Sequence, residues 1–306
     1  MHHVFFHANC ADGFTARCIA QLALGTANVT YWPIQYEGPQ MSQAIEPRDQ
    51  VTYLDYTPPP SILEKLITEL ECRVLVIDHH DTAKKIHEDK LVPWESVFDL
   101  TQSGAGLAWK HYFPGQEMPY GVELVQFRDL GGAWAPTEPG DLITRQLASR
   151  SLAFHAFLMR CLPLHYEAWI GLLTGEESFV PAVRGGDLLV KQDRAMIEAA
   201  APTAIKLQLA GHVVPAFIGF PASLVSDGLN HLLQLHPEAP FAANVYPDTK
   251  TGRLIYSLRS ANRMHVGEVA RRLDPPREGY PGGGGHPNAA GFSSNQPIPF
   301  VFASNH

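Results

Sequence analysis

Val74-Leu75-Val76-Ile77-Asp78-His79-His80 is a short apolar run that stops on one acid and two imidazoles. A strand ending this way points to an open α/β sheet, in which ligands gather outside the carboxyl ends of the strands. The flanking sequence repeats the theme. Val4 to His7 reads as a strand leading into Asn9-Cys10-Ala11-Asp12-Gly13, with a helix from about Asp12 to Leu24. Val29 to Ile34 and Val51 to Leu54 read as further strands, the second ending at Asp55. Pro58-Pro59-Pro60-Ser61 opens a helix with Ile62, Leu63, Leu66, Ile67 and Leu70 on one face. This alternation predicts a parallel sheet covered on both sides.

Further along, residues 118–177 read as mostly helical and 187–210 as a helical connector, broken or kinked near Pro202. From Gly211 the pattern becomes mixed again. Val213 to Gly219 is a strand candidate and Ser223 to Leu235 a helix. Phe241 to Tyr246 and Arg253 to Leu258 form a hairpin pattern around Asp248-Thr249-Lys250-Thr251-Gly252. The fold class expected is α/β: a parallel-sheet domain over residues 1–186, the connector 187–210, and a smaller α/β domain over 211–306.

Composition narrows the function. The 306 residues are 45% hydrophobic, as in a globular chain, and carry a formal net charge of -8. Proteins that grip long duplex DNA carry a basic face; an acidic chain handles phosphate best when bound cations reverse the local field, which favours a small nucleotide over a long polymer. Cys10, Cys18, Cys72 and Cys161 form no CxxC pair, so no structural zinc site is expected. Met1-His2-His3 starts no secretory signal, and the apolar stretch from Leu152 to Leu173 is interrupted by His155, Arg160, Pro163, His165 and Glu167. No membrane span is expected, and the cytoplasm is the expected location. GxSxG, GxxxxGK[ST] and HExxH patterns do not occur, which removes serine-hydrolase, P-loop and zincin readings.

Three strands thus end in ligand chemistry: His7 with Asp12 close behind, Asp55, and Asp78-His79-His80. Singly, each has a plain structural reading as a cap, a turn or a core histidine. Together, carboxylates and imidazoles converging on one crevice suit a first-row divalent metal, which also removes their mutual repulsion.

These residues resemble the motifs of the DHH–DHHA1 phosphoesterases. His7-Ala8-Asn9-Cys10-Ala11-Asp12-Gly13 is similar to the first motif, Asp55 to the second, and Asp78-His79-His80 to the one that names the family. Phe98-Asp99 with Ser103-Gly104-Ala105-Gly106 resembles the segment that follows, and Asp129 in Phe127-Arg128-Asp129 the fourth acidic motif. Gly283-Gly284-Gly285-His286-Pro287-Asn288-Ala289-Ala290-Gly291-Phe292 is similar to the DHHA1 signature, so the resemblance spans nearly the whole chain.

The resemblance implies a two-manganese centre, with Mg2+ or Co2+ as alternatives. Asp55 would bridge the metals, Asp12, His79 and Asp129 would complete one site, and His7 would serve the other. It implies that His80 orients a phosphate or the attacking water and that Asp78 supports it or ligates. Arg259, Gly283, Gly284, Gly285 and His286 would bind substrate, with Arg263 a weaker candidate beside Arg259. The activity implied is metal-assisted phosphodiester hydrolysis, with linear dinucleotides such as pGpG or very short RNA as the first-choice substrates. Cyclic dinucleotides, single-strand exonuclease action, and a non-catalytic nucleotide sensor are the alternatives. The expected partner is that short nucleic acid, with no membrane and with a homodimer open. The first motif departs from the usual pattern. Asn9 and Cys10 stand where another Asp precedes the Asp-Gly pair, and the interval from His7 to Asp12 is one residue longer. Cys10 or Asn9 as a replacement ligand, Cys10 as a small packed residue, and a single-metal centre all stay open at this point.

Overall fold

The computed structural model of the protein describes residues 1–35, 41–134, 140–249, 251–277, 280 and 282–301. The chain divides into two units, Met1–Val190 and Lys191–His306. The first runs β1 (His2–His7), α1 (Ala11–Leu24), β2 (Val29–Ile34), β3 (Gln50–Leu54), α2 (Pro60–Glu64), β4 (Arg73–Asp78), α3 (Lys84–Asp89), β5 (Glu95–Phe98), α4 (Gly104–Tyr112), α5 (Tyr120–Asp129), α6 (Leu142–Cys161) and α7 (Tyr166–Thr174). Then α8 (Glu176–Ala200) carries the chain past the unit boundary.

The five strands form a parallel sheet in the order β2-β1-β3-β4-β5. Their side chains alternate between two cores, as a strand's period of two requires. Val4, Phe6, Leu54 and Ile77 pack with residues of α1, α4, α5 and α7, whereas Phe5, Val51, Tyr53, Val74 and Val76 pack with Leu63, Leu66 and Trp94. A sheet buried on both faces explains why these strands read as continuous apolar runs. In the first core Trp169 of α7 meets Phe14 of α1 edge-on at 4.9 Å between ring centroids. Burying a side chain the size of Phe14 contributes roughly 1.5–3 kcal/mol, and here it anchors the helix that begins at the first motif.

The second unit is a six-stranded sheet in the order β10-β11-β9-β8-β7-β6, made from β6 (Ile205–Leu209), β7 (His212–Ile218), β8 (Ala242–Pro247), β9 (Leu254–Arg259), β10 (Gly284–Gly285) and β11 (Ala289–Ser294). Helix α9 (Val225–Leu235) packs Leu229, Leu232 and Leu233 in one apolar cluster, and α10 (Val266–Leu273) packs Val266, Val269 and Ala270 in another. The predicted hairpin is present as β8–β9, closed by Asp248 N–H to Arg253 O at 2.8 Å. Its Lys250 lies outside the described residues.

The connector differs from expectation. Helix α8 ends at Ala200, and Ala201–Thr203 makes one 3-10 turn around Pro202. Residues 205–209 are then a strand, not helix, because Ile205, Leu207 and Leu209 alternate with Lys206 and Gln208. Ala210 and Gly211 both take positive φ, 53° and 89°, and turn this strand back onto β7. The stretch 152–173 is split between α6 and α7, and among the described residues no helix is long and apolar enough to cross a membrane.

Candidate metal centre

The sheet order places β2 and β3 on opposite sides of β1, so the strand sequence reverses there, which is where open α/β sheets form their ligand crevice. Register sets its contents. Phe6 pairs with Leu54 and Leu54 with Ile77, so the next residues along, His7, Asp55 and Asp78, emerge side by side at the carboxyl edge. Asp55 N–H still donates to Ile77 O at 2.8 Å, but its φ is +55°. That left-handed conformation is uncommon outside glycine, and Asp is among the residues that tolerate it best. It turns the carboxylate in toward the crevice, where its Oδ2 lies 3.3 Å from His7 Nδ1 and its Oδ1 3.2 Å from His79 Nε2.

Asp12 sits in the first turn of α1 and is 1% exposed. Its carboxylate accepts the first-turn amides of α4, Gly104 N–H at 2.6 Å and Ala105 N–H at 3.0 Å, where a helix N-terminus favours negative charge. Glycine permits both helix starts to close on the strand ends: a Cβ on Gly104 would stand 2.6 Å from Asp55 Cβ, and one on Gly13 would stand 2.4 Å from His7 O. Asp99, in the resembling segment, instead accepts Thr101 N–H and Oγ1–H in a local turn.

His79 Nε2 is the focus of the acids: Asp55 Oδ1 at 3.2 Å, Asp129 Oδ2 at 3.4 Å and Asp12 Oδ2 at 3.5 Å. One imidazolium cannot neutralise three carboxylates, and the titration behaviour shows the conflict. Burial, then repulsion from Asp129 and Asp55, lifts Asp12 well above the usual carboxylate range. Burial and Asp55 also raise Asp129, although His79 opposes this. Asp55 goes the other way: burial works against its charge, but hydrogen bonds from His7 and His79 hold it well below that range. His79 is pushed up to about 10, with burial outweighed by the Asp55 hydrogen bond and by the charges of Asp129, Asp55 and Asp12. Asp55 Oδ1 and Asp129 Oδ2 are buried and accept no well-aligned hydrogen bond. Buried carboxylate oxygens in that state fit a cation, whose charge replaces the shared protons. The residues that can hold one fall into overlapping groups that include Asp12, Asp55 and His79, and His7, Cys10 and Asp55.

Asp78 turns back on its own motif, accepting His79 N–H at 2.7 Å, His80 N–H at 3.2 Å and His80 Nδ1–H at 2.7 Å. Burial would raise it, yet the His80 charge and hydrogen bond hold it at about 2. Behind it Thr57 Oγ1–H donates to Asp78 Oδ2, His87 Nε2 lies 2.8 Å from that hydroxyl, and His87 Nδ1 lies 2.7 Å from Ser96 Oγ. Sequence reading passed over Thr57 and His87. Thr57 could have been noticed, since it stands two residues past Asp55, whereas His87 carries no local signal.

In the second unit Arg259 ends β9, and its guanidinium donates to Leu258 O at 2.8 Å and Ser226 Oγ at 2.7 Å. Arg263 is engaged with backbone carbonyls, Ala239 O at 2.9 Å and His236 O at 3.4 Å, and so fixes the end of α9. The close approach that the glycine run permits is to the chain itself. Gly283 N–H donates to Asp274 O at 2.7 Å, and Gly284 and Gly285 pair with Gly291 and Ala290. His286 N–H donates to Ala289 O at 2.7 Å.

Asp274 secures this loop from beneath. Its carboxylate accepts from Arg277 at 2.8 Å, Tyr280 Oη–H at 2.6 Å and Ser293 N–H at 3.2 Å. Burial is outweighed by the Tyr280 and Ser293 hydrogen bonds and by Arg253, so its pKa is depressed. A depressed carboxylate adds stability above its unfolded pKa of about 3.9 and loses it as pH falls toward the folded value. Asp274→Asn is therefore expected to lower the stability of the second unit by roughly 2–4 kcal/mol at pH 7, and by much less near pH 3. Urea unfolding at both pH values checks this, and equal losses at both would contradict the charge argument.

Comparison with known proteins bears on the fold. A family model of the DHHA1 domain matches residues 230–300. The uncharacterized protein R106 of Acanthamoeba polyphaga mimivirus is 25% identical over 311 residues, covering 95% of this chain, which spans only 66% of that relative's length. The DHH domain of a member of the s1p family of ribosomal proteins superposes with a TM-score of 0.57 at 15% identity, covering 98% of this chain and 82% of that one. RecJ from Thermus thermophilus in complex with Mn2+ gives a TM-score of 0.50 at 16% identity, covering 96% of this chain and 49% of that one. The fold is thus that of DHH-domain proteins. The DHHA1 match is confined to residues 230–300 of the second unit.

Proposed function

We propose that the chain is a metal-dependent phosphodiesterase that hydrolyses linear dinucleotides and very short oligonucleotides, such as pGpG, to mononucleotides. The observation that carries this reading is the convergence of Asp12, Asp55 and Asp129 on His79 Nε2 within 3.2–3.5 Å, in a crevice at the strand-order reversal. His7, Asp12, Asp55, His79 and Asp129 would hold divalent cation, with Mn2+ preferred and two ions expected. When bound, it supplies positive charge to the phosphodiester and acidifies water.

The chain's own groups do the rest. Asp55 reaches both halves of the cluster, through Oδ2 toward His7 and Oδ1 toward His79, and would help hold cation on either side. Asp78 fixes the His80 ring through Nδ1, and the ring so oriented is assigned to a non-bridging phosphate oxygen. Burial opposes charge on His80, but Asp78 raises its pKa above the ordinary value, so it approaches phosphate as a proton donor. Thr57 and His87 brace Asp78 from behind, the kind of support that orients ligating and catalytic imidazoles. On the second unit, Arg259, with Ser226 setting its fork, is assigned a phosphate, and Gly283, Gly284, Gly285 and His286 form the accompanying substrate loop. The net charge of -8 favours a short substrate over a long polymer track.

The test is hydrolysis by purified protein with Mn2+ of linear pGpG and pApA, longer RNA, cyclic dinucleotides and adenosine bisphosphate. Chelator-sensitive turnover that is fastest on the linear dinucleotides is expected. Faster turnover of longer RNA or cyclic dinucleotides would reassign the substrate within the class. Tight nucleotide binding with no turnover, in protein loaded with Mn2+, would replace the enzyme reading with a sensor.

A further inference from the structure

The departure in the first motif has a structural counterpart. Cys10 occupies the position just before α1, in extended conformation, and is only partly buried. Its Sγ, a His7 ring nitrogen and an Asp55 carboxylate oxygen all lie within 4.8 Å of one another. Cys18 and Cys72, by contrast, are packed into the two cores of the first unit, and Cys161 is exposed. Cys10 belongs to none of the apolar clusters among the described residues, so packing does not account for it. The Asp55 carboxylate beside it is 1% exposed. Three donor types thus lie together, a buried acid among them.

We propose that Cys10 is a metal ligand, and that its Sγ, His7 and Asp55 form one cation position with a mixed sulfur, nitrogen and oxygen donor set. The proposal rests on the reading that this crevice binds divalent cations, and it deepens that reading by naming the cation class. Thiolate is a soft donor and imidazole an intermediate one, so the position takes borderline ions of the Co2+ and Zn2+ kind more readily than a position with oxygen and nitrogen donors alone, beside the Mn2+ expected of the centre. The helix start favours negative charge on the sulfur. Burial and the carboxylates of Asp55, Asp129 and Asp12 push the Cys10 thiol up, a shift that the charge of a bound cation would oppose.

Cobalt reports thiolate ligation directly. Co2+ is titrated into metal-stripped full-length protein, with uptake measured by equilibrium dialysis and the near-ultraviolet thiolate-to-cobalt charge-transfer band followed by absorption. The band is expected in the wild type and in Cys161→Ser, and is expected to vanish in Cys10→Ser and Cys10→Asp. Cys10→Asp, which restores an oxygen donor, should still take up Co2+ and shift its competition preference toward Mn2+; this shows that loss of the band is not loss of the fold. Co2+ uptake without the band, or a band that persists in Cys10→Ser, overturns the assignment of Cys10 and leaves the metal centre standing. Absence of any Co2+ or Mn2+ uptake by the wild type overturns the centre itself, and this proposal with it.

Discussion

Asp55→Asn is expected to lower hydrolysis by about 10^3-fold or more and to remove most divalent-cation uptake. The reason is its position between two groups: Oδ2 lies 3.3 Å from His7 Nδ1 and Oδ1 3.2 Å from His79 Nε2. An amide keeps the shape but loses the charge and turns one of those oxygens into a donor that faces an imidazole or a cation. Metal-supplied charge stabilisation is worth several kcal/mol, and each 1.36 kcal/mol is tenfold in rate, which sets the estimate. The variant should also be less stable without metal. Asp55 is a depressed carboxylate in the folded chain, so its contribution is present above the unfolded pKa of about 3.9 and disappears as pH falls through the folded value. Calorimetric titration with Mn2+ and turnover of pGpG measure both effects. Turnover within tenfold of wild type would show that Asp55 does not carry the metal.

Much of this centre is legible in the sequence because parallel strands convert a list of strand ends into a neighbourhood. Once β1, β3 and β4 are recognised, His7, Asp55 and Asp78 must lie near one another, whatever the helices do. The contribution of α4 is not visible that way. Its first-turn amides reach Asp12 across 92 residues of sequence, and only the small side chains of Gly104 and Ala105 hint at the close approach. The glycine run near 283 has neighbours that no local pattern announces: Gly283 donates to Asp274 and Gly285 pairs with Ala290. Strand β6 was available to the eye in Ile205-Lys206-Leu207-Gln208-Leu209, but the long helix before it and Pro202 bias the reading toward a helical connector. The support of Asp78 by Thr57 and His87 depends on side-chain directions across three elements, which spacing does not encode.

Asp129→Asn separates a metal ligand from a structural ion pair by the sign of its effect. Asp129 ends α5, where the helix dipole disfavours negative charge, and its Oδ2 is buried with no well-aligned hydrogen bond. Burial first, and the Asp55 charge with it, raise its pKa against the pull of His79. A raised carboxylate penalises the folded chain at every pH above the unfolded pKa, and protonation relieves it, so the penalty is absent well below pH 4 and full above the folded value. The neutral amide removes that penalty, while His79 keeps Asp55 and Asp12 as partners. In chelator at pH 7 the variant should melt about 2–4 °C above wild type, the shift that roughly 1 kcal/mol produces in a domain of this size. With Mn2+ the order should reverse. Wild type gains about 2.7 kcal/mol at a free ion concentration a hundredfold above Kd, whereas the variant, short of one ligand, gains little. Scanning calorimetry with and without Mn2+ shows the crossing. A variant that melts lower than wild type in chelator and still gains the full Mn2+ shift would identify Asp129 as a partner that holds His79 in place and not as part of the centre.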